Sequence, residues 1–449
     1  MKRLLTCIFV LSVGTCCILT GPGGRLAKQR AEATEENGVL TVFLTGNELG
    51  ALKPCGCSGG QLGGLDRRLV VFDGAASSSK RLIVDTGGFV EGDSEQDLIK
   101  FNILIQAFNL LGYDLVNLSK RDVEIAESLG LLDSISSVFN VISFQSGPEA
   151  GFPSSFTKNL LLDERTVSVT VAAFGAESGS VEQINKLFAS EPNEQSVNIL
   201  ISSHCDDDVV GAIAEMGIVD CLVCPSESDE AGVVGDPNEG LLAVSVGRYG
   251  KYMGSLQIRA AQGGGGLKLD FSAIAVTEDL PQEDRLVELY KNYQQFVKEE
   301  NLLEKRPRFV LPDGLRYTGS KSCKLCHEYE YEVCSSMAHA RAYATLERVG
   351  SQYDPECVIC HVVGMGYESG FISEDKSRED LRDVGCESCH GPGSEHIRTL
   401  GVAVTTEPML DCVDCHTPEQ SADYAGNEEL YLEKIVHWRE PKAANDVKK

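Results

Sequence analysis

Positive charge is scarce in this chain of 449 residues: 40 lysines and arginines stand against 67 aspartates and glutamates, a formal net charge of −27. That balance excludes a nucleic-acid partner, whose phosphates demand a basic face. The carboxylate excess either solvates a soluble surface or steers basic partners towards it. Long apolar runs are also few. Beyond residues 4–19, no stretch is apolar enough to cross a bilayer. Histidine is short and unevenly placed: of 8, only His204 precedes Arg316.

What the last third does have is thiols at a fixed spacing. Cys323-Lys-Leu-Cys326-His327, Cys357-Val-Ile-Cys360-His361, Cys386-Glu-Ser-Cys389-His390 and Cys412-Val-Asp-Cys415-His416 all read C-x-x-C-H. At this spacing two thiols bond the vinyl groups of one haem, and the following histidine reaches the iron. Zinc knuckles also use C-x-x-C pairs, but zinc needs no histidine directly after every pair. Four covalent haem c groups are therefore expected. The segment has few long apolar runs and many glycines, so the porphyrins must supply much of its core.

Histidine counting extends the expectation. His327, His361, His390 and His416 belong to the motifs, which leaves His339, His396 and His437 as candidate distal ligands. Three candidates for four irons leave one haem five-coordinate, or bound by Met337, Met365 or water. Spacing does not assign that open haem.

The N-terminus has Lys2 and Arg3, the apolar run, then Gly21-Pro-Gly-Gly24. This is the layout of a secretory signal over residues 1–24; a lipoprotein anchor at Cys16 or Cys17 and an uncleaved membrane anchor are its rivals. Export agrees with haem attachment, which occurs outside the cytoplasm, so the protein is expected in the periplasm or anchored facing it.

A polar spacer (25–37) leads into a globular domain (38–277). Short strands are expected at 39–44, 81–84, 167–174, 197–202, 219–223, 241–246, 254–258 and 267–276. A helix is expected over 98–111, where Leu98, Phe101, Ile105, Phe108 and Leu111 fall near one face. Alternating strands and helices followed by consecutive strands imply an α/β sandwich. The glycine run 263–266 reads as a wide hairpin turn. A helical connector and linker (278–315), its helix beginning near Pro281, precedes the haem domain (316–449).

Over residues 38–277 the chain resembles the calcineurin-like metallophosphatases of the 5′-nucleotidase type. The carrying residues are Thr45-Gly-Asn-Glu-Leu-Gly50, Gly63-Gly-Leu-Asp-Arg-Arg68, Asp85-Thr-Gly-Gly88, residues 110–119, Ser203-His204 and residues 246–254. The resemblance implies a four-layer metallophosphatase-like sandwich with two metals at the strand ends, activating water against phosphate. The ligand positions have changed, however. The D-x-H pair falls on Asn47 and Leu49, the bridging Asp on Gly88, G-N-H-E on Ser119-Lys-Arg-Asp122, and the late G-H-x-H on residues 225–228. Only His204 keeps a ligand-type side chain. A leucine and a glycine bind no cation, so phosphatase chemistry is not expected.

Cysteines cluster in the same motifs. Cys55, Cys57, His204, Cys205 and Cys224 can converge at that rim as a zinc or copper(I) site, giving an additional metal in this domain. Oxidised pairs in an exported protein and plain burial are the other readings.

Residues 316–437 resemble the tetrahaem cytochrome c-554 family. The resemblance rests on residues 317–323, Ser336-Met-Ala-His339-Ala-Arg-Ala342, Cys360-His361-Val-Val-Gly-Met-Gly366 and residues 385–396. It implies a mainly α, haem-packed domain in which three haems carry two histidines and one stays open. His339 and His396 match its distal-ligand contexts, and Glu433-Lys-Ile-Val-His437 its closing motif. The expected function is electron transfer between redox-protein partners. The alternatives are a redox enzyme acting at the open haem on a small ligand such as nitric oxide, nitrite or hydroxylamine, and a binding module built on the phosphatase-like domain.

Overall fold

The computed structural model describes residues 38–54, 59–75, 77–143, 151–175, 181–188, 195–235, 241–261, 266–373, 375–405, 412–418, 420–421 and 423–438. The expected leader and spacer, Cys55, Cys57 and most of the glycine run lie outside these residues. The chain forms two compact units, one of residues 1–52 and 63–283, the other of 53–62 and 284–449.

The first unit contains β1 (Val39–Thr45), α1 (Arg68–Ala75), β2 (Arg81–Asp85), α2 (Glu95–Leu111), β3 (Leu115–Leu118), α3 (Lys120–Leu129), α4 (Leu132–Val138) and β4 (Asn140–Ser143). Then come β5 (Ser155–Leu162), β6 (Arg165–Phe174), β7 (Ser196–Ser202), α5 (Asp207–Met216), β8 (Cys221–Cys224), β9 (Gly232–Val233), β10 (Leu242–Ser245), β11 (Tyr252–Ala260) and β12 (Leu267–Ala275). They build two six-stranded sheets, ordered β12-β11-β1-β2-β3-β4 and β5-β6-β7-β8-β10-β9. Strands β1 to β4 run parallel in the first sheet, and β6, β7, β8 and β10 in the second. Helices cross over between the parallel strands of the first sheet, and α5 between β7 and β8, a usual connection for such pairing.

The facing sheets bury an aliphatic core that includes Leu40, Val42, Val84, Leu115, Val169, Ile199 and Val244. Outside the second sheet, α5 packs Ile213 on Leu200 and Leu222. Phe43, Phe72, Phe89, Phe101, Phe108 and Tyr113 form a chain of ring contacts linking β1, α1, α2 and the loops beside them. Near-continuous burial of the parallel strands explains why they read as apolar runs rather than alternating ones.

Helices α2 and α3 start at capping boxes, Ser94 with Asp97 and Ser119 with Asp122, and end at left-handed Gly112 and Gly130. Strands β3, β4, β5 and β9 escaped the sequence reading. On β5 polar residues interrupt the apolar ones, and β9 is two residues long.

In the second unit, α6 (Asp284–Glu299) begins three residues after Pro281 and buries Leu286, Leu289, Tyr293 and Val297 along one face. Short helices follow: α7 (Leu302–Lys305), α8 (Ser320–Cys323), α9 (Glu328–Ser336), α10 (Ala342–Val349), α11 (Pro355–Val358), α12 (Cys386–His390), α13 (Ser394–Arg398) and α14 (Glu428–Glu433). No strand forms here among the described residues. An apolar cluster gathers Leu303, Tyr343, Leu346, Val358, Val362, Val363, Met365, Phe371 and Leu381 around the second motif. Met337 instead caps α9. Tyr293 donates a 2.8 Å hydrogen bond to Asp354, whose other oxygen caps α11. Two glycines are obligatory in this cluster: a side chain on Gly364 would strike the Tyr317 ring, and one on Gly370 the Gly364 carbonyl.

Candidate haem centres

The seven histidines of the second unit are not scattered. His327 faces His396 with ring centroids 6.0 Å apart. His416 faces His339 at 6.2 Å and His390 faces His437 at 6.1 Å. Two imidazoles sharing one metal, each bonded at about 2 Å through Nε2, have centroids about 6 Å apart. The three separations fit that arrangement, and every pair joins a motif histidine to one outside the motifs. His361 is in none of these pairs.

Local structure sets each ring. His416, like His327, donates its backbone N–H to the carbonyl of the first cysteine in its own motif. The Nδ1 atoms of His361, His396 and His437 donate to the carbonyls of Ala342, Ala403 and Ile435 at 2.6, 2.7 and 2.8 Å. A carbonyl only accepts, so each Nδ1 keeps its proton and Nε2 is left as the ligand atom. Ser421 Oγ sits 2.8 Å from His416 Nδ1. Burial lowers the proton affinity of His339, His390 and His416, which favours the neutral form that ligates. Tyr424 stacks on His416 at 5.0 Å and Tyr431 meets it edge-on at 5.4 Å.

The attachment thiols are paired across the chain. Cys323 lies beside Cys386, and Cys360, its Sγ 3.9 Å from the Asp414 carbonyl oxygen, lies beside Cys415. The first motif thus lies beside the third and the second beside the fourth. Cys389 feels the Cys412 and Cys415 charges, so the third motif also neighbours the fourth. The chemistry of the donor set (eight thiols, three facing imidazole pairs and one further imidazole) fits four covalent haems.

The rim of the first unit is filled by its own side chains. Glu48, between the implied ligand positions Asn47 and Leu49, makes a double salt bridge to Arg68, both contacts 2.7 Å and both groups buried. Tyr113 accepts from Arg68 at 3.1 Å and hydrogen-bonds Thr45, which donates to Asp85 at 2.8 Å. Burial, then the Glu48 charge, pushes the Asp85 carboxyl up to about 8. Asp122 accepts from the backbone N–H groups of Gly88, Phe89 and Ser119. Gly250, at φ +57, leaves room for the Glu48–Arg68 pair, which any side chain there would strike.

Of the readings open for the cysteines of this domain, the oxidised pair is the one found for Cys205 and Cys224. Their disulfide consumes two thiolates of the expected metal cluster. His204 is exposed and bonds Asp206 at 3.0 Å. Residues 53–54 and 59–62, which flank Cys55 and Cys57, belong to the other unit. Among the described residues, no group of three or more histidine, cysteine or carboxylate side chains is placed to hold a metal ion. The sequence reading missed Glu48 and Arg68 because a buried salt bridge carries no spacing signature.

A family model described as "Cytochrome c554 and c-prime" matches residues 322–391. Cytochrome c-554 of Nitrosomonas europaea is 35% identical over 92 residues, 17% of this chain and 39% of that relative's length. The chain thus matches well under half of that protein. Among solved structures, the chain is similar to the calcineurin-like phosphoesterase YfkN of Bacillus subtilis: 15% identity, TM-score 0.43, 59% of this chain and 98% of that one. It is also similar to a 5′-nucleotidase precursor of Thermus thermophilus: 16% identity, TM-score 0.40, 60% of each chain.

Proposed function

We propose that this protein is an exported electron carrier holding four haem c groups, with the first unit a scaffold or binding module lacking phosphatase chemistry. The observation that carries the reading is the set of three imidazole pairs at 6.0–6.2 Å, each including one motif histidine. Haem iron supplies one-electron chemistry when bound. The chain's part is to hold it: His327 with His396, His390 with His437, and His416 with His339 as ligand pairs, and His361 as a single ligand. The carbonyls of Ala342, Ala403 and Ile435 orient three of those rings. The order of neighbouring motifs (first, third, fourth, second) would give electrons a continuous route from one centre to the next.

Export is supported by the Cys205–Cys224 disulfide, a bond that persists in oxidising compartments. Among the described residues no helix is long and apolar enough to cross a membrane. The acidic balance suits basic redox-protein partners.

One observation favours a second reading. His361 is left out of the pairs, so the haem on Cys357 and Cys360 is the one able to bind a small molecule, and a redox enzyme acting on a nitrogen oxide or hydroxylamine would work there. A pyridine haemochrome assay should return four haems per chain, and two or fewer defeats the carrier reading. Electron paramagnetic resonance with and without nitric oxide then separates carrier from enzyme: one accessible high-spin haem that turns over substrate makes it an enzyme. Nucleotide hydrolysis with added divalent metals would overturn the scaffold role.

A further inference from the structure

Glu387 lies inside the third motif, between Cys386 and Cys389, and is only 4% exposed. A glutamate at that place ordinarily turns to water, since carboxylates are seldom fully buried without a partner. Here the partners are neutral. Its carboxylate accepts from the backbone N–H of Thr318 at 2.9 and 3.0 Å, of Gly319 at 2.8 Å and of Gly393 at 2.7 Å, and from the Thr318 hydroxyl at 3.2 Å. An ionised carboxylate is acceptor-only, so a ring of donors suits it. No lysine or arginine pairs with it among the described residues.

The clamp also has a direction. Thr318 and Gly319 lead into α8, which ends at Cys323 of the first motif, while Gly393 leads into α13, which carries His396. One carboxylate therefore ties together the third motif, the approach to the first and the helix bearing the first motif's facing histidine.

We propose that Glu387 sets the reduction potential of the haem held by Cys386, Cys389 and His390, and to a smaller extent that of the haem held by Cys323, Cys326 and His327. The inference rests on the four-haem reading above. Reduction adds one negative charge at the iron. A fixed carboxylate nearby, shielded from water and uncompensated by a cation, opposes that charge and makes both haems harder to reduce. Glu387 is a positioning and charge-setting residue, and it touches no substrate.

The test is a spectroelectrochemical titration of full-length, haem-loaded protein carrying Glu387→Gln, with spin states followed by electron paramagnetic resonance. Four haems and unchanged low-spin signals are expected. At least one low-spin haem should become easier to reduce by a factor of about ten in its one-electron equilibrium, about 59 mV. Two or fewer haems in the unaltered protein would defeat the functional reading itself. Four haems with potentials superimposed on the unaltered ones would overturn the role of Glu387 alone. Should Glu387→Gln fail to load haem, Thr318→Lys keeps Glu387 and brings an ammonium beside it, with Thr318→Met as the uncharged control. A higher potential in the lysine variant supports the proposal, and coincident potentials in the two overturn it.

Discussion

The ring of His339, which follows the first motif, faces the ring of His416 from the fourth, centroids 6.2 Å apart. The other two pairs interlock in the same way: His396 follows the third motif but faces the first, and His437 follows the fourth but faces the third. Each of the three pairs thus joins segments distant in the chain, so none of them forms until those segments have met.

Replacing the non-motif member of a pair should open that haem and no other. His339→Ala, His396→Ala and His437→Ala should each convert one low-spin signal to high-spin, readable by electron paramagnetic resonance in the holoprotein. A His437→Ala spectrum identical to that of the unaltered protein would remove His437 from the ligand set.

Nitric oxide should bind first at the haem attached through Cys357 and Cys360. The double variant Cys357→Ser, Cys360→Ser should carry three haems and lose the rapid nitrosyl signal. Retention of that signal would place the open haem at another motif.

Asp85 gives the first unit a pH dependence of definite sign. Its folded-state carboxyl is raised to about 8 by burial and the Glu48 charge, against about 3.9 unfolded. The folded state therefore binds the extra proton. That stabilisation is complete below about pH 4 and is lost as pH rises through about 8, by up to about 1.4 kcal/mol per pH unit. Denaturant titrations of the Asp85→Asn variant should show a flatter profile over this range. Equal slopes in the two proteins would mean that Asp85 is ionised throughout.

Breaking the Glu48–Arg68 pair should cost more than deleting it. Arg68→Met strands a buried carboxylate, a loss of about 3–5 kcal/mol, whereas Glu48→Leu with Arg68→Met removes both charges and should recover much of it. Thermal unfolding of the first unit measures the difference. A single variant as stable as the double one would mean that water or another group satisfies Glu48.

The Cys205–Cys224 disulfide closes a loop of 19 residues in sequence separation, which corresponds to about 3 kcal/mol of stabilisation. Mass spectrometry of the alkylated, unreduced protein should show both thiols protected. Labelling of either one would reopen the metal reading for this rim.

The sequence by itself determined the haem chemistry and the sandwich. A C-x-x-C-H spacing is a covalent requirement, written in consecutive residues, and buried parallel strands leave apolar runs that survive any register. The substitutions at Asn47, Leu49 and Gly88 likewise announced a site without its ligands. What filled that site was decided in three dimensions, since Glu48, Arg68, Asp85 and Tyr113 come from separate elements that only the folded sheet brings together. So too with the haems. Seven histidines could be counted in the sequence, but which of them face each other depends on how α10, α12, α13 and the chain end cross. Only that packing leaves His361 outside the pairs, with every other imidazole of the unit already facing a partner.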